Sequence, residues 1–507
     1  MKHAITLLLV AATAVAQQAH KARPLPTKTE PLAERIERLF AQSPIARTAF
    51  WGIEVSSLPT GKVLYELNAN RFFVPASNTK LFTTALALTR LGPDFTFQTK
   101  VLAAAAPDAE GRIAGDIRLV GGGDPNLSAR AIPYRPGPAT GDPLAALGDL
   151  ADQIAARGVR RIDGDLVGDD SWYVWEPFGN GWSIDDPTYD YGAPVSALTV
   201  NDNAFILSIL PGDKEGDPAA LKLNPAVEYY AIDNRIRTAA QGSERRVHYA
   251  RPNGSKTLEL WGTIPLRGRG EDLALGIDDP ALYAAIAFRQ ALAERGITVS
   301  GRTVARHLHP NEVADVRLSH AADAESGFEL AVRKSAPLME DLRITAKVSQ
   351  NLHAELDLRA VGRARRNIGS VEAGLDELRG FLAEAGIEPG GYSIGDGSGL
   401  ARSNLVSPAA VVKLLRYMHA SPARDNFLSI LPVGGQDGTL GARFADPLLA
   451  GRIHAKTGSL AHVSALSGYA QRRQGDWVAF SILVNNYIGP AAEVHAVMDR
   501  ICALLLE

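Results

Sequence analysis

The stretch Pro75-Ala76-Ser77-Asn78-Thr79-Lys80 places a hydroxyl and an amine three residues apart, just before an apolar run from Leu81 to Leu88. The run predicts a buried helix, and residues three apart on a helix share a face, so the Lys80 amine can reach the Ser77 hydroxyl. A lysine acts as a base toward serine only when burial or a second cation lowers its pKa. The sequence therefore predicts Ser77 as a nucleophile and Lys80 as its base, in a site that holds further groups.

Two further short motifs follow in the C-terminal half. Ser349 and Asn351 lie at a break between two helical patterns, where both side chains can point into one cleft, and Lys456-Thr457-Gly458 lies in a strand-like segment. Each motif alone also fits an ordinary helix start, helix junction or strand, and a Ser-x-x-Lys spacing is expected about twice by chance. Each occurs once in this chain, and their order makes the combination specific.

Ser-x-x-Lys, Ser-x-Asn and Lys-Thr-Gly, in this order, are the signature of penicillin-binding proteins and class A β-lactamases. The chain resembles the low-molecular-mass class C penicillin-binding proteins, the S13 family of D-alanyl-D-alanine carboxypeptidases and endopeptidases, because residues 81–348 separate its first two motifs. The resemblance covers nearly the whole mature chain. Further similar stretches are Gly122-Gly123-Asp124-Pro125, Val200-Asn201-Asp202-Asn203, Asp396-Gly397-Ser398-Gly399-Leu400, Lys456 through Leu460, and Leu466-Ser467-Gly468-Tyr469.

The resemblance implies a role for each group of the three motifs. Ser77 would attack the carbonyl of the penultimate D-alanine while Lys80 takes its proton, and the acyl-enzyme would then be hydrolysed. Ser349 would pass a proton to the leaving amine, and Asn351 would hold the substrate backbone and orient Lys80. Lys456 would supply positive potential that favours a neutral Lys80 and attracts the substrate carboxylate.

The resemblance also implies residues that bind the substrate. Thr457 would bond the substrate carboxylate, the N–H groups of Ser77 and Ser459 would form an oxyanion hole, and Gly458 would let its strand approach the substrate closely. Relatives use an Asp, an aromatic residue and an Arg to bind the diamino acid of the stem peptide. The positions that look similar are Asp169, Tyr173 and Arg402, with Asp170 and Trp172 as neighbours that leave the register open.

The predicted fold is α/β (α+β), a transpeptidase-like serine acyl-enzyme domain. We expect an antiparallel sheet of about five strands, from residues near 50–67 and 453–484, covered by N- and C-terminal helices. Short strands and turns from about residue 95 to 330 predict large inserted β-rich domains. The predicted domains are a signal peptide (1–16), a catalytic domain (17–94 and 331–507), an inserted domain (95–168 and 280–330) and a domain nested within it (169–279).

The N- and C-terminal segments contain patterns that bear on where in the cell the protein is located. Met1-Lys2-His3, an apolar run to Val15 and the Ala-x-Ala pattern before Gln17 predict a signal peptide cleaved after Ala16, and hence export to the periplasm. The segment from Ala491 to Leu506 predicts an amphipathic helix. Its Leu-rich end could make a peripheral membrane contact, although packing on the sheet is the preferred interpretation.

Composition excludes several classes of function. The single cysteine, Cys502, cannot form a disulfide framework or a Cys-based metal site within one chain, which suits a bacterial envelope protein. A net charge of −3 gives no support to nucleic-acid binding. We expect no metal and no cofactor, and we expect the peptidoglycan stem peptide and β-lactam inhibitors as partners; the oligomeric state, including a homo-oligomer, stays open.

Two alternative functions use the same motifs. A β-lactamase is the nearest enzyme, but the long insertion and the lack of a Glu-Pro-Glu-Leu-Asn loop argue against it, and the similar start at Glu176-Pro177-Phe178 lies inside the insertion. A non-catalytic peptidoglycan-binding scaffold would not need Lys80. The chain also lacks the Gly-x-Ser-x-Gly elbow of other serine hydrolases and the His-Glu-x-x-His of zinc peptidases. The balance between carboxypeptidase and endopeptidase stays open.

Overall fold

The computed structural model describes residues 30–137, 139–252, 254–319 and 326–507, so the predicted signal peptide lies outside the described residues. None of the helices in these ranges is long and apolar enough to cross a membrane. The helices are α1 (Leu32–Gln42), α2 (Pro44–Thr48), α3 (Thr79–Leu91), α4 (Ala145–Ala156), α5 (Pro280–Glu294), α6 (Leu338–Lys347), α7 (Asn351–Arg366), α8 (Val371–Glu384), α9 (Pro408–Ala420), α10 (Arg424–Ile430) and α11 (Ala491–Leu505).

The strands fall into several sheets separated along the chain by these helices. They are β1 (Phe50–Ser57), β2 (Val63–Leu67), β3 (Gln98–Ala103), β4 (Arg112–Ile113), β5 (Ile117–Val120), β6 (Arg161–Ile162), β7 (Leu166–Val174), β8 (Ala204–Leu210), β9 (Ala220–Asn224), β10 (Ala231–Ala239), β11 (Arg246–Ala250), β12 (Thr257–Pro265), β13 (Glu271–Gly276), β14 (Thr298–Val299), β15 (Thr303–Leu308), β16 (Phe328–Lys334), β17 (Tyr392–Ser393), β18 (Leu405–Val406), β19 (Ile453–Leu460), β20 (Val463–Gln471) and β21 (Trp477–Asn485).

The central sheet has the order β19-β20-β21-β1-β2 and is antiparallel throughout, as the sequence predicted. The strands β20 and β21 are buried at nearly every position because helices cover both faces. Alternate residues point to opposite faces. Leu466 and Ile482 join a core with α1 and α11, whereas Ala465 and Leu483 join a second core with α3 and α9.

Helix α11 packs on the outer face of this sheet, as the preferred interpretation of its sequence predicted. Its residues Val494, Met498 and Ile501 are buried against the sheet and α1. Cys502 is buried in the same core and is a free thiol.

A helical layer covers the other face of the sheet and carries the Ser77 helix, α3. Residues of α3, α6, α7, α8 and α9 form one apolar core around Phe82 and Leu86, which are fully buried. The sequence analysis did not predict α8 or α10. Helix α8 begins with a Ser370 N-cap, whose Oγ accepts a hydrogen bond from the Ala373 N–H at 3.1 Å, a signal that the sequence contains.

The inserted region contains a mixed five-stranded sheet of order β15-β7-β5-β3-β16 and three three-stranded sheets, β13-β8-β9, β10-β12-β11 and β14-β6-β4. Two predicted domain boundaries, 168/169 and 330/331, fall inside β7 and β16, so the sheet of the outer inserted unit extends to Val174 and Lys334. The inner strands share one apolar core with the outer sheet, which includes Leu119, Leu207 and Leu260. The nested division of this region remains a prediction.

One buried amide joins the sheet to the segment that leads to Ser77. The Oδ1 of Asn485, at the end of β21, accepts a hydrogen bond from the Val74 N–H at 2.8 Å, and its Nδ2 donates to the Val74 carbonyl at 3.2 Å. The same segment pairs with β18 through reciprocal backbone bonds between Phe73 and Val406, of 3.0 and 2.9 Å. The sheet and the strand β18 therefore fix the chain just before the nucleophile.

We expect Asn485→Ala to lower the free energy of unfolding by about 1–3 kcal/mol, because it leaves both backbone groups of Val74 without their partner. Urea denaturation followed by circular dichroism measures the change. Gln474→Ala, in the exposed turn between β20 and β21, is the control and should change stability by less than about 0.5 kcal/mol. Equal stability of both variants would contradict a stabilising role for the Asn485 amide.

Candidate active site

Ser77 lies in a short 3-10 turn, Ala76–Asn78, that runs directly into α3. Ala76 has a φ of 48°, a left-handed conformation that costs a residue with a side chain on the order of 1 kcal/mol or more. The neighbouring side chains hold this turn in place. Asn78 Nδ2 donates to the Lys456 carbonyl at 2.9 Å and Thr79 Oγ1 donates to the Ala76 carbonyl at 3.0 Å. The nucleophile is thus presented on a strained turn that the surrounding fold stabilises.

Lys80 is fully buried one turn after Ser77. Its Nζ lies 3.0 Å from Ser77 Oγ, 2.6 Å from Asn351 Oδ1 and 2.7 Å from the Ser398 carbonyl oxygen. Burial lowers the pKa of Lys80 to about 7, although the nearby carboxylates of Asp396 and Glu355 act to raise it. A large fraction of Lys80 is therefore neutral near pH 7 and able to accept the Ser77 proton.

Lys456 lies on β19 and is also fully buried. Its Nζ donates to Ser349 Oγ at 2.7 Å and to the Thr457 carbonyl at 2.9 Å. Burial, and then the charge of Lys80, lower the pKa of Lys456 well below its usual value. The resemblance implied that Lys456 would favour a neutral Lys80, whereas the largest cause of the low Lys80 pKa is burial.

The Ser-x-Asn motif lies at the junction of α6 and α7, as predicted. Ser349 has a φ of 68°, and this left-handed residue turns the chain so that Ser349 faces Lys456 while Asn351 faces Lys80. The Asn351 Nδ2 donates to the Tyr191 carbonyl of the inserted region at 2.8 Å. The structure thus brings the five motif residues together as two hydrogen-bonded groups, Ser77–Lys80–Asn351 and Ser349–Lys456, whose lysines interact through their charges.

Gly458 is constrained by the turn that carries Ser77. A β-carbon added to Gly458 would lie 2.7 Å from the Pro75 carbonyl oxygen and 3.0 Å from the Ser77 nitrogen. Glycine is therefore required for the close approach of β19 to the nucleophile turn, where the resemblance implied an approach to the substrate. Thr457 Oγ1 donates to Thr439 Oγ1 at 2.7 Å, and Ser459 is exposed on the same strand.

The loop Asp396–Leu400 supports Lys80 through the Ser398 carbonyl. Asp396 accepts hydrogen bonds from the N–H groups of Gly399 and Ala401, both at 2.8 Å. Glu355, fully buried on α7, accepts from the N–H groups of Gly397 and Ser398, both at 2.9 Å. These bonds aim the Ser398 carbonyl at Lys80.

A cavity of about 370 Å³ opens at Ser77. It brings together four of the predicted residues: Ser77, Asn351, Ser459 and Arg402. The Arg402 Nη2 donates to the Ala461 carbonyl at 2.8 Å. The complete lining is Ser77, Ser183, Asp186, Tyr191, Asn351, Gly399, Leu400, Arg402, Ser459, Leu460 and Ala461.

Asp169 and Tyr173 do not line this cavity, which corrects the expectation from the sequence. Both belong to β7, which continues unbroken through the outer inserted sheet. Asp169 is buried there, 3.2 Å from Arg118 Nη1, and Tyr173 is buried in contact with Gly369. Asp170 and Trp172 are also absent from the cavity lining.

Asp186 and Tyr191 are the acidic and aromatic residues of the inserted region that reach the cavity. They come after β7, in the turns between Asp186 and Gly192. The sequence analysis missed them because it placed the acidic and aromatic positions at Asp169 and Tyr173, earlier in the region. A break in the strand pattern before the tract Gly179–Gly192, which is rich in Asp and aromatic residues, could have pointed to them.

A buried polar network lies behind the Ser-x-Asn motif. His353 of α7 places its Nδ1 2.6 Å from Asp341 Oδ1 and its Nε2 3.2 Å from Asp202 Oδ1. Asp202 comes from the inserted region and also accepts from Gln350 Nε2 at 2.9 Å and from Arg130. Although burial opposes it, Asp341 and Asp202 raise the pKa of His353 to about 9. The charged ring thus joins the inserted region to the residues flanking the motif.

A family model described as the D-Ala-D-Ala carboxypeptidase 3 (S13) family matches residues 32–505 of this chain. The chain is 36% identical over 488 residues to the D-alanyl-D-alanine carboxypeptidase of Actinomadura sp. (strain R39). This alignment covers 94% of this chain and 84% of that protein. It is 27% identical over 448 residues to D-alanyl-D-alanine carboxypeptidase DacB of Haemophilus influenzae. That alignment covers 86% of this chain and 85% of that protein.

Solved structures share the fold. The crystal structure of penicillin-binding protein 4 from Haemophilus influenzae superposes with a TM-score of 0.79 at 24% identity, covering 93% of this chain and 99% of that chain. The same protein in complex with a β-lactam gives a TM-score of 0.75 at 22% identity, with the same coverage. The likeness confirms the transpeptidase-like fold predicted from the three motifs.

The charged His353 predicts a pH-dependent contribution to stability. A group whose pKa is raised on folding stabilises the protein fully below its unfolded pKa, and this stabilisation is lost as the pH rises through the folded value. The difference in unfolding free energy between the unaltered protein and His353→Asn should therefore shrink by about 2 kcal/mol between pH 7 and pH 10. Urea denaturation of both proteins at each pH measures it.

Taking the difference between two proteins removes the opposite pH dependence of the buried lysines, which both proteins share. His309→Asn, at an exposed histidine, is the control, and its difference from the unaltered protein should stay within about 0.5 kcal/mol. A difference for His353→Asn that is constant from pH 7 to pH 10 would show that His353 is not charged in the folded protein.

Proposed function

This chain belongs to the D-Ala-D-Ala carboxypeptidase 3 (S13) family, and on that premise we propose that Ser77 is the nucleophile with which it hydrolyses peptidoglycan stem peptides. The protein is a serine-type D-Ala-D-Ala carboxypeptidase of the penicillin-binding class. The observation that carries the assignment is the buried Lys80 amine, which lies within hydrogen-bond distance of both Ser77 Oγ and Asn351 Oδ1.

The cluster supplies each proton transfer of the acylation step. Neutral Lys80 takes the proton of Ser77 as its Oγ bonds to the carbonyl carbon of the penultimate D-alanine. As the C–N bond breaks, Ser349, whose hydroxyl accepts a hydrogen bond from Lys456, gives its proton to the leaving amine and takes up the proton held by Lys80, so that Lys80 is neutral again. Water then attacks the acyl-enzyme and loses a proton to Lys80, which passes it to Ser77 Oγ as the ester bond breaks and the shortened stem is released.

Two backbone amides complete the site in this proposal. The N–H groups of Ser77 and Ser459 stabilise the oxyanion of the tetrahedral intermediate, each contributing about 3 kcal/mol to the transition state. Thr457 donates its hydroxyl to the carboxylate of the terminal D-alanine. The lack of room for a β-carbon at Gly458 supports this arrangement, because it shows that β19 lies directly beside the turn that carries Ser77.

We also propose that Arg402 and Asp186 bind the side chain of the diamino acid in the stem. The two residues carry opposite charges and line the same cavity as Ser77. A diamino-acid side chain that ends in an amine and a carboxylate presents the complementary pair of charges. Tyr191 adds an aromatic residue to the same cavity, the role that the sequence analysis had given to Tyr173.

Export to the periplasm remains a proposal. It rests on the signal-peptide pattern of residues 1–16. The single cysteine is consistent with it, because a bacterial envelope protein can be exported without disulfides. The substrate of the proposed reaction, peptidoglycan, lies in the same compartment.

Benzylpenicillin should acylate Ser77 and leave a lasting adduct. Intact mass spectrometry of the purified protein should show a gain of one penicilloyl group, which Ser77→Ala abolishes. Release of D-alanine from a pentapeptide stem should fall to background in the same variant. No adduct with intact penicillin would favour a non-catalytic scaffold, and no adduct with rapidly hydrolysed penicillin would favour a β-lactamase.

The acylation rate should depend on pH through Lys80. Because only the neutral amine accepts the Ser77 proton, the second-order rate constant for acylation by benzylpenicillin should rise with pH and level off above an inflection near pH 7. Quenched time courses analysed by mass spectrometry give the rate at each pH. Lys80→Met should acylate at least about 100-fold more slowly across the whole range. An inflection above pH 9 in the unaltered protein would exclude a buried Lys80 as the base.

A further inference from the structure

A second cavity, of about 630 Å³, lies beside the catalytic cluster. This volume is within the range of cavities that hold a bound ligand. Its wall is formed by residues between Arg130 and Thr140, by the C-terminal end of α6 and by the turn Gly438–Leu440. The lining residues that matter here are Arg130, Tyr134, Arg135, Lys347, Val348 and Thr439.

This second cavity begins where the leaving group departs. Val348 directly precedes Ser349, and Thr439 accepts the hydrogen bond of Thr457 at 2.7 Å. The cavity shares no lining residue with the first cavity, which holds Ser77 and Arg402. In the proposed mechanism Ser349 delivers the proton to the leaving amine, which places that amine near Ser349 and directs any group attached to it toward Val348 and the second cavity.

The charge of the second cavity is positive. Arg130, Arg135 and Lys347 line it, and none of its described lining residues is acidic. Arg130 is paired with Asp202, and Lys347 Nζ lies 2.7 Å from Asp437 Oδ2. Arg135 is exposed and forms no ion pair with any residue in the described ranges, so its charge is available to a ligand.

A terminal D-alanine does not use this space. Its carboxylate ends beside Thr457 and Thr439, at the edge of the cavity. In a cross-link between two stems, the amine that leaves belongs to a second peptide, which carries further carboxylates. Such an anionic peptide matches the charge of the cavity.

We propose that the second cavity binds the leaving strand of cross-linked stem peptides, with Arg135 pairing with one of its carboxylates. The inference rests on the proposed DD-peptidase function and names the site with which the protein binds cross-linked stem peptides. The amide between the D-alanine carbonyl and the amine of the second peptide breaks, the Ser77 ester forms, and the proton from Ser77 passes through Lys80 and Ser349 to the released amine. Water then hydrolyses the ester.

Two substrates distinguish binding of the leaving strand from hydrolysis of a single stem peptide. The full chain is assayed with a cross-linked muropeptide dimer and with a single pentapeptide stem, and kcat/KM is measured for each. Arg135→Ala should lower the ratio of the dimer value to the monomer value about tenfold, the effect of losing one charge-assisted contact. Arg135→Glu should lower this ratio further, and Arg135→Lys should restore part of it.

Arg473→Ala is the matched control, since Arg473 is an exposed arginine in the distant turn between β20 and β21. The ratio should not change in this variant. Equal losses on both substrates, or no change on either, for Arg135→Ala would overturn the proposal. So would an unaltered protein that hydrolyses the monomer but not the dimer. Failure of the unaltered protein on both substrates would overturn the proposed function as well.

Discussion

A lysine amine held without access to water, between Ser77, Asn351 and the Ser398 carbonyl, is the constraint on which the rest of the structure depends. Each of the three partners comes from a different part of the chain, so the amine is placed only when α3, α7 and the loop Asp396–Leu400 are all packed. Burial of a charged amine is unfavourable, and this cost is what brings the pKa of Lys80 near 7. Folding therefore produces the base.

Glu355 shows how far this constraint extends. The carboxylate is fully buried, pairs with Arg359 at 3.1 Å and accepts the two backbone N–H groups that orient the Ser398 carbonyl. Burial raises the pKa of Glu355, and the Arg359 guanidinium and the Ser398 bond act against this. The polar groups of α7 thus continue the catalytic cluster into the protein interior, and the inserted region joins it through His353 and Tyr191.

The sequence predicted the parts of this site that depend on local patterns. Strands β19 to β21 followed from strand-like segments, and the three motifs followed from their spacing and order. The register of the inserted region was not predictable in the same way, because both Asp169 and Asp186 suit a loop, and only the packing of β7 decides which one reaches the cavity. The role of Gly458 was not predictable either, because it depends on the distance between two segments that are far apart in sequence.

The buried Cys502 has a consequence for the chemistry that can be carried out on this protein. Its thiol lies in the core of α11, and burial raises its pKa, so it is neither accessible nor ionised at neutral pH. It is also the only cysteine in the sequence. A maleimide dye would therefore react only with a cysteine introduced at an exposed position. A single fluorophore beside the second cavity would report on that part of the molecule without prior removal of a native thiol.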